Sequence, residues 1–474
     1  MRSSPSNLDT PVTGTRVRET SPVSRWRRRV RRRPHLGRKG RWILALALLF
    51  PAVVLLHRLG DAARGTPVRD LVVWDSLPDM ASPDFRRMAA AGSEITMTPG
   101  NRVELLVDAE IFPRILEDVA AARRSVTVFI YFCASGDLGD RVADALSERA
   151  RAGVAAYFLG DGFGCRDFLD DVGPRLRDAG VRVTALRPVR WYALHRAQHR
   201  NHARGVVVDG AVAYTGGFGI ADVWAGTAGA IPWRDTNVRV TGPVVAALQG
   251  AFAAAWGEAT GELLAGAAFV AEVAEPGHEA REPGGEGAGP DAGWAGLLVS
   301  RPGMGTTRAE RFYTVTLHGA QRSLYLANSY FVPNRETRRL LVEAAGRGVD
   351  VRVLVPGTIN DVPGTRWAGQ RWFRELLEGG VRIFEYQGTM MHAKTAVADG
   401  AWATVGSVNL DNRSLRLNEE WSLVVHGPEV AGRLDSLFLA DLGRARERTL
   451  EIHRSRPLQD RLREVMVSLL APFF

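Results

Sequence analysis

Apolar and polar positions recur along this chain with the periods of strands and helices, and the same order of elements occurs twice. Residues 123 to 158 begin with an apolar β-rich stretch, SVTVFIYF, pass into the amphipathic DLGDRVADALSERARAG, and return to a strand. Residues 322 to 355 follow the same course. LRDAGVRVTAL (Leu176 to Leu186) and LLEGGVRIFEY (Leu376 to Tyr386) each close a helix on glycine and start a strand. NHARGVVVDGAVAYTGGFG (Asn201 to Gly219) and MHAKTAVADGAWATVGSVN (Met391 to Asn409) then read as hairpins, each turning at Asp-Gly. Two similar α/β halves in tandem are predicted.

Two stretches break the pattern. Glu272 to Gly293 is rich in Gly, Pro, Ala and Glu with almost no large apolar side chain, so burial cannot offset its ordering entropy and it reads as linker. Trp42 to Leu56, WILALALLFPAVVLL, carries no charge, and at ~1.5 Å per residue it covers ~22 Å of a ~30 Å hydrocarbon core. It abuts Arg25 to Arg41, which holds ten Lys/Arg and no acid. A membrane anchor is expected, with a cleaved signal peptide as the alternative, and the positive-inside rule puts the rest of the chain on the extracytoplasmic face. The expected organisation is a basic tail at 1–41, an anchor at 42–58, a connecting segment at 59–98, domains at 99–260 and 300–474, and a flexible linker at 261–299 between them.

Composition narrows the class. The chain of 474 residues is 46% hydrophobic, enough for cores of that size. Its net charge of +9 favours an anionic partner, but the basic run before the anchor accounts for the excess, so a nucleic-acid partner is not expected. Two cysteines, Cys133 and Cys165, exclude a disulfide framework and a Cys-rich zinc site, and each reads as a buried thiol.

The chemistry gathers on the two hairpins. The spacing His202-x-Arg204-x4-Asp209-x6-Gly216-Gly217 repeats as His392-x-Lys394-x4-Asp399-x6-Gly406-Ser407-x-Asn409. On a strand, positions i and i+2 share a face, so each histidine projects beside a fixed cation. The return strand brings Ser407 and Asn409 back toward His392. Imidazole, ammonium, hydroxyl and amide together suit binding and attack of a phosphodiester. His195 and His199 read as solvated surface, and Trp367 and Trp372 as packing.

These two stretches resemble the motifs of the phospholipase D superfamily. Gly100 to Ser125, Pro232 to Val245, YFVPN (Tyr330 to Asn334) and Gly406 to Val425 are similar to bacterial cardiolipin synthases, a likeness running from about residue 99 to the C-terminus. The resemblance implies two α-β-α sandwich domains about a pseudo-twofold axis, with the active site at their interface. It also implies a phosphatidyltransferase acting without metal or cofactor on phosphatidylglycerol at a membrane. His202 would be the nucleophile and His392 the acid and base, with Arg204, Lys394, Asp209 and Asp399 completing the catalytic set, the two aspartates mainly as structural turn and hairpin residues with an electrostatic role beside that. Ser407, Asn409 and Gly217 would bind the phosphate, while Asp235 and Glu420 would orient the histidines. A phospholipase D or another phosphodiesterase is the alternative. The first half departs from the family: Arg204 stands for lysine, Gly219 for asparagine and Asn237 for histidine. That predicts weakened activity, with Lys at 204 and Asn at 219 restoring it.

Overall fold

The computed structural model describes residues 38–63, 71, 73, 76–189, 198–269, 292–303 and 305–469. Residues 67–474 form one compact unit and residues 1–66 another. In the latter, Arg38–Ala63 is a helix with Pro51 inside it and Leu46, Leu49, Phe50 and Leu56 exposed. It covers the expected anchor. However, among the described residues no helix is long and apolar enough to cross a membrane. The reason is the short apolar run, which Arg41 and Arg58 bracket closely. Most of the basic tail and most of the Gly/Pro-rich stretch lie outside the described residues.

Fifteen strands of the larger unit form one sheet. In the first half these are β1 (Thr98–Val107), β2 (Ser125–Ile130), β3 (Ala155–Asp161), β4 (Arg182–Leu186), β5 (Gly205–Val208), β6 (Val212–Gly216) and β7 (Thr236–Thr241). The second half supplies β8 (Ala292–Ser300), β9 (Ser323–Asn328), β10 (Asp350–Pro356), β11 (Arg382–Tyr386), β12 (Lys394–Ala398), β13 (Trp402–Gly406), β14 (Glu420–His426) and β15 (Ala445–Arg448). Outward from the central antiparallel β1–β8 pair, one side runs β1-β7-β6-β5-β2-β3-β4 and the other β8-β14-β13-β12-β9-β10-β11-β15. The first seven strands of each order correspond one to one, and β15 is an addition at the edge of the second half. Within each, three consecutive strands, β2-β3-β4 or β9-β10-β11, are parallel and the hairpin strands antiparallel, while β15 closes the second half antiparallel to β11.

Burial on both faces explains the near-continuous apolar strands. In β2, Val126, Val128 and Ile130 pack under the helices Ile111–Ala121 and Asp137–Arg151, while Phe129 points to the other face. That other core is shared between halves: Phe252 and Trp256 of helix Val245–Thr260 cluster with Val405, Trp421 and Leu434.

Two stretches are more structured than their sequence suggested. Ala292–Ser300, inside the expected linker, is the strand that joins the halves, pairing with β14 on one side and β1 on the other. Its GLLVS run supplies the burial that the preceding Gly/Pro-rich residues lack. In the connecting segment, helix Pro83–Gly92 buries Phe85 and Ala89 in the core of the second half, beside Phe312 and Trp402. The two cysteines also differ from the expectation of separate thiols: the ends of β2 and β3 bring Cys133 and Cys165 within 4.8 Å between Cα atoms, and a disulfide joins them.

Candidate active site

Each hairpin turns as its Asp-Gly predicts. Asp209 and Gly210 have φ of 54° and 65°, and Asp399 and Gly400 have 55° and 64°. These are positive angles at both central residues, as a type I′ turn requires. The aspartates then do a second job. Asp209 accepts hydrogen bonds from the backbone N–H groups of Arg123, Arg124 and Ser125 at 3.0, 2.7 and 2.9 Å. Asp399 accepts from Gln321, Arg322 and Ser323 at 3.0, 2.7 and 2.9 Å. They fix the start of β2 and of β9. The histidines sit at the far ends of those strands, roughly 20 Å away at ~3.3 Å per residue. Asp209 and Asp399 thus bond at the turn end of their hairpins, a strand length from the histidines, which accords with the structural part of their reading and leaves the electrostatic part to act only at long range.

At the other end the halves cross. His202 N donates to Glu419 O at 2.8 Å, and His392 N to Arg234 O at 2.7 Å. The next residue on each partner then takes the imidazole: Glu420 lies 2.9 Å from His202 Nδ1, and Asp235 lies 3.0 Å from His392 Nδ1. Each histidine is thus held, backbone and side chain, by a dipeptide of the opposite half. With Nδ1–H donated to a carboxylate, Nε2 is the nitrogen left to face the site.

The cations repeat this pairing. Arg204 Nη1 donates to His202 O at 2.8 Å and Nη2 lies 3.2 Å from His202 Nε2. Lys394 Nζ donates to His392 O and lies 3.0 Å from His392 Nε2. All four side chains, with Asp235 and Glu420, are buried.

Burial sets the charge states. It lowers the His202 imidazole well below its ordinary range, helped by Arg204 and Lys394, and brings His392 down to about 4. Lys394 is lowered to about 7 for the same reason. The two carboxylates diverge. Glu420 is pushed up to about 7 by desolvation. Burial also pushes Asp235 up, but its hydrogen bond to His392 and the Lys394 charge outweigh that and hold it below the ordinary value.

Ser407 donates to Glu420 Oε2 at 2.5 Å and accepts from Trp421 N, so it braces the carboxylate behind His202. Asn409 is buried and accepts from Ser329 Oγ at 2.9 Å. Gly217 does not offer a free N–H to a phosphate, because Asn237 Oδ1 accepts from it at 3.1 Å. Its lack of a side chain matters more, since a Cβ there would come within 2.4 Å of Asp235 Oδ1.

Gly219 has a partner in Trp224. A Cβ at 219 would meet the indole at 2.8 Å, so the ring occupies the space an asparagine would need. The indole Nε1–H donates to Asp235 Oδ2 at 3.0 Å, a support that Ser407 gives Glu420 in the other half. The ring centroid lies 5.1 Å from that of His392, edge on. Trp233 and Tyr330 also flank His392, and Tyr131 packs on His202 at 4.9 Å. These aromatic walls are absent from the motif reading. A trace was there in the Tyr-Phe that follows both β2 and β9, at 131–132 and 330–331. His199 is half-buried, 3.2 Å from Leu417 O, while His195 lies outside the described residues. Trp367 and Trp372 pack under Arg463 and Arg338.

Two histidines crossed between repeated halves, each beside a cation, can be compared with known proteins. A profile described as cardiolipin synthase, PLD-like domain matches residues 313–442. Cardiolipin synthase A of Pseudomonas syringae pv. syringae is 32% identical over 362 residues, 76% of this chain and 72% of that protein. This chain belongs to the cardiolipin synthase family. The major cardiolipin synthase of Bacillus subtilis is 30% identical over 397 residues, 82% of this chain and 79% of its own length. The protein is accordingly a phosphatidyltransferase of the phospholipase D superfamily. The fold agrees with the crystal structure of phosphatidylserine synthase from Haemophilus influenzae Rd KW20, which superposes with a TM-score of 0.62 over 82% of this chain and 100% of that one at 13% identity.

Proposed function

We propose that this cardiolipin synthase family member joins two phosphatidylglycerol molecules into cardiolipin, releasing glycerol, at a site shared by two pseudo-twofold-related halves. His202 Nε2 attacks phosphorus, the P–O bond to the departing glycerol breaks, and His392 delivers the proton to that alkoxide. The hydroxyl of a second phosphatidylglycerol then attacks the phosphorus of the phosphatidyl-histidine, the bond from phosphorus to His202 Nε2 breaks to restore the free imidazole, and His392 takes the hydroxyl proton. Arg204 and Lys394 grip the nonbridging oxygens, with Asn409 beside them.

The crossed pairs support this division of labour. Asp235 keeps its charge, and an imidazole donating to a full carboxylate is the more basic one, as the acid and base needs. Glu420, pushed toward neutrality, supports His202 with less charge and leaves it the unprotonated nucleophile. Membrane association fits both the amphiphilic substrate and the apolar Arg38–Ala63 helix.

Membranes containing the protein, given labelled phosphatidylglycerol, should yield cardiolipin and glycerol. Phosphatidic acid as the main product would make it a hydrolase. His202→Ala should remove turnover, and a preserved rate would overturn the nucleophile assignment.

A further inference from the structure

The loops that leave the catalytic edge of the sheet carry apolar side chains into solvent. Phe132 follows Tyr131, whose ring packs on His202. Phe163, 64% exposed, lies two residues beyond Asp161, which accepts the N–H of Asn201 beside His202. Val223 precedes Trp224, and Ile231, 70% exposed, lies two residues before Trp233; both indoles face His392. Ile359 and Val362 flank Asp361, which accepts from the Tyr330 hydroxyl at 2.6 Å. Six exposed hydrophobic side chains from four connections between elements, contributed by both halves, thus gather along this edge around the histidines.

The C-terminal helix, Leu458–Ser468, extends the same rim. The chain there runs antiparallel to Pro363–Glu378, with Arg454, at the end of the short helix Leu450–Arg454, bonded to Glu378 and Arg463 of the C-terminal helix over Trp367. Its C-terminal end, with Met466 in the last turn and Leu469 just past it both exposed, therefore heads toward the end of Pro363–Glu378 that Val362 precedes. Leu263 is the contrasting position. It is 87% exposed but adjoins Glu262, which pairs with Arg182 at the opposite end of the strands.

The layout is an apolar ring about a cationic centre, where Arg204 and Lys394 are buried and Arg204 Nε has no hydrogen-bond partner. A phospholipid has the complementary arrangement, an anionic headgroup below acyl chains. Exposed apolar side chains clustered in this way mark an interaction surface. We infer that the rim docks on the surface of an anionic phospholipid bilayer, so that a headgroup enters the site while its acyl chains stay in the membrane. This rests on the phosphatidyl-transfer reading for the substrate, but docking can be measured without turnover.

The test uses the full chain carrying His202→Ala, with Ile231→Cys, Ile359→Cys or Leu263→Cys labelled by a polarity-sensitive thiol dye; the native cysteines are joined to each other. Vesicles of phosphatidylglycerol and phosphatidylcholine should shift the dye to the blue at 231 and 359 and leave it unchanged at 263. Protein that co-sediments with vesicles while the dyes at 231 and 359 stay in water would overturn the docking face, as would failure to co-sediment. In the active protein, Phe163→Ser with Ile231→Ser should slow turnover of vesicle phosphatidylglycerol about tenfold or more, since burying such a side chain is worth about a factor of ten. Short-chain phosphatidylglycerol dissolved as monomer should react as before. Equal losses on both substrates would refute docking. If the unaltered protein turned over neither, the transfer reading would fail and the dye measurement would still decide the surface.

Discussion

Gly219 and Arg204, two of the three departures from the family pattern, have different structural meanings. At 219 the missing side chain is replaced in space by the Trp224 indole, which also hydrogen-bonds Asp235. Restoring asparagine alone would overpack this wall, which typically costs about 1–3 kcal/mol. Gly219→Asn should therefore lower activity about tenfold or more, contrary to the gain the motif suggests. Adding Trp224→Ala should make room, so the double variant should be more active than the product of the two single effects predicts; kcat values of all four proteins measure this coupling. Arg204 is closer to neutral drift in its placement, since its guanidinium reaches the His202 carbonyl as Lys394 reaches the His392 carbonyl.

Among the elements, the Asp-Gly turns show how one short motif serves two ends of a strand. The sequence made the hairpins legible, because the dipeptide is specific for the turn. It did not reveal that the same carboxylates gather three backbone N–H groups of a neighbouring strand about 80 residues away, a contact set only by sheet order. Asp209→Ala or Asp399→Ala should lower stability by about 1–3 kcal/mol in urea unfolding, because three partly exposed backbone donors at the start of β2 or β9 lose a charged acceptor. Asn at either position should cost less, since it tolerates the left-handed backbone and keeps one acceptor. Turnover per folded molecule should stay near that of the unaltered protein.

At the scale of the whole molecule, the candidate site is assembled because the two halves exchange partners across the β1–β8 centre. Burial and then the Lys394 charge hold His392 at about 4, uncharged near neutral pH. A phosphate bound between Arg204 and Lys394 places negative charge beside the imidazole and favours its protonated form. Binding of inorganic phosphate at about pH 5.5 should therefore be accompanied by uptake of up to about one proton. Calorimetry in two buffers of different ionisation enthalpy measures it, and His392→Asn should reduce the uptake. Proton release on binding would contradict the assignment of His392 as the acid.

The sequence by itself determined the α/β repeat, both hairpins and the identity of the histidines and their cations, because period, turn chemistry and i,i+2 spacing are local properties of a chain. It also marked Asp235 and Glu420, through likeness to a family. Only the tertiary structure decided that Glu420 serves His202 and Asp235 serves His392, that Trp224 fills the place of the missing asparagine, that Ala292–Ser300 joins the halves, and that Asp209 and Asp399 lie a strand length from the chemistry. Those facts depend on which distant segments meet, and residues roughly 160 to 220 positions apart carry no mark of each other in spacing or composition.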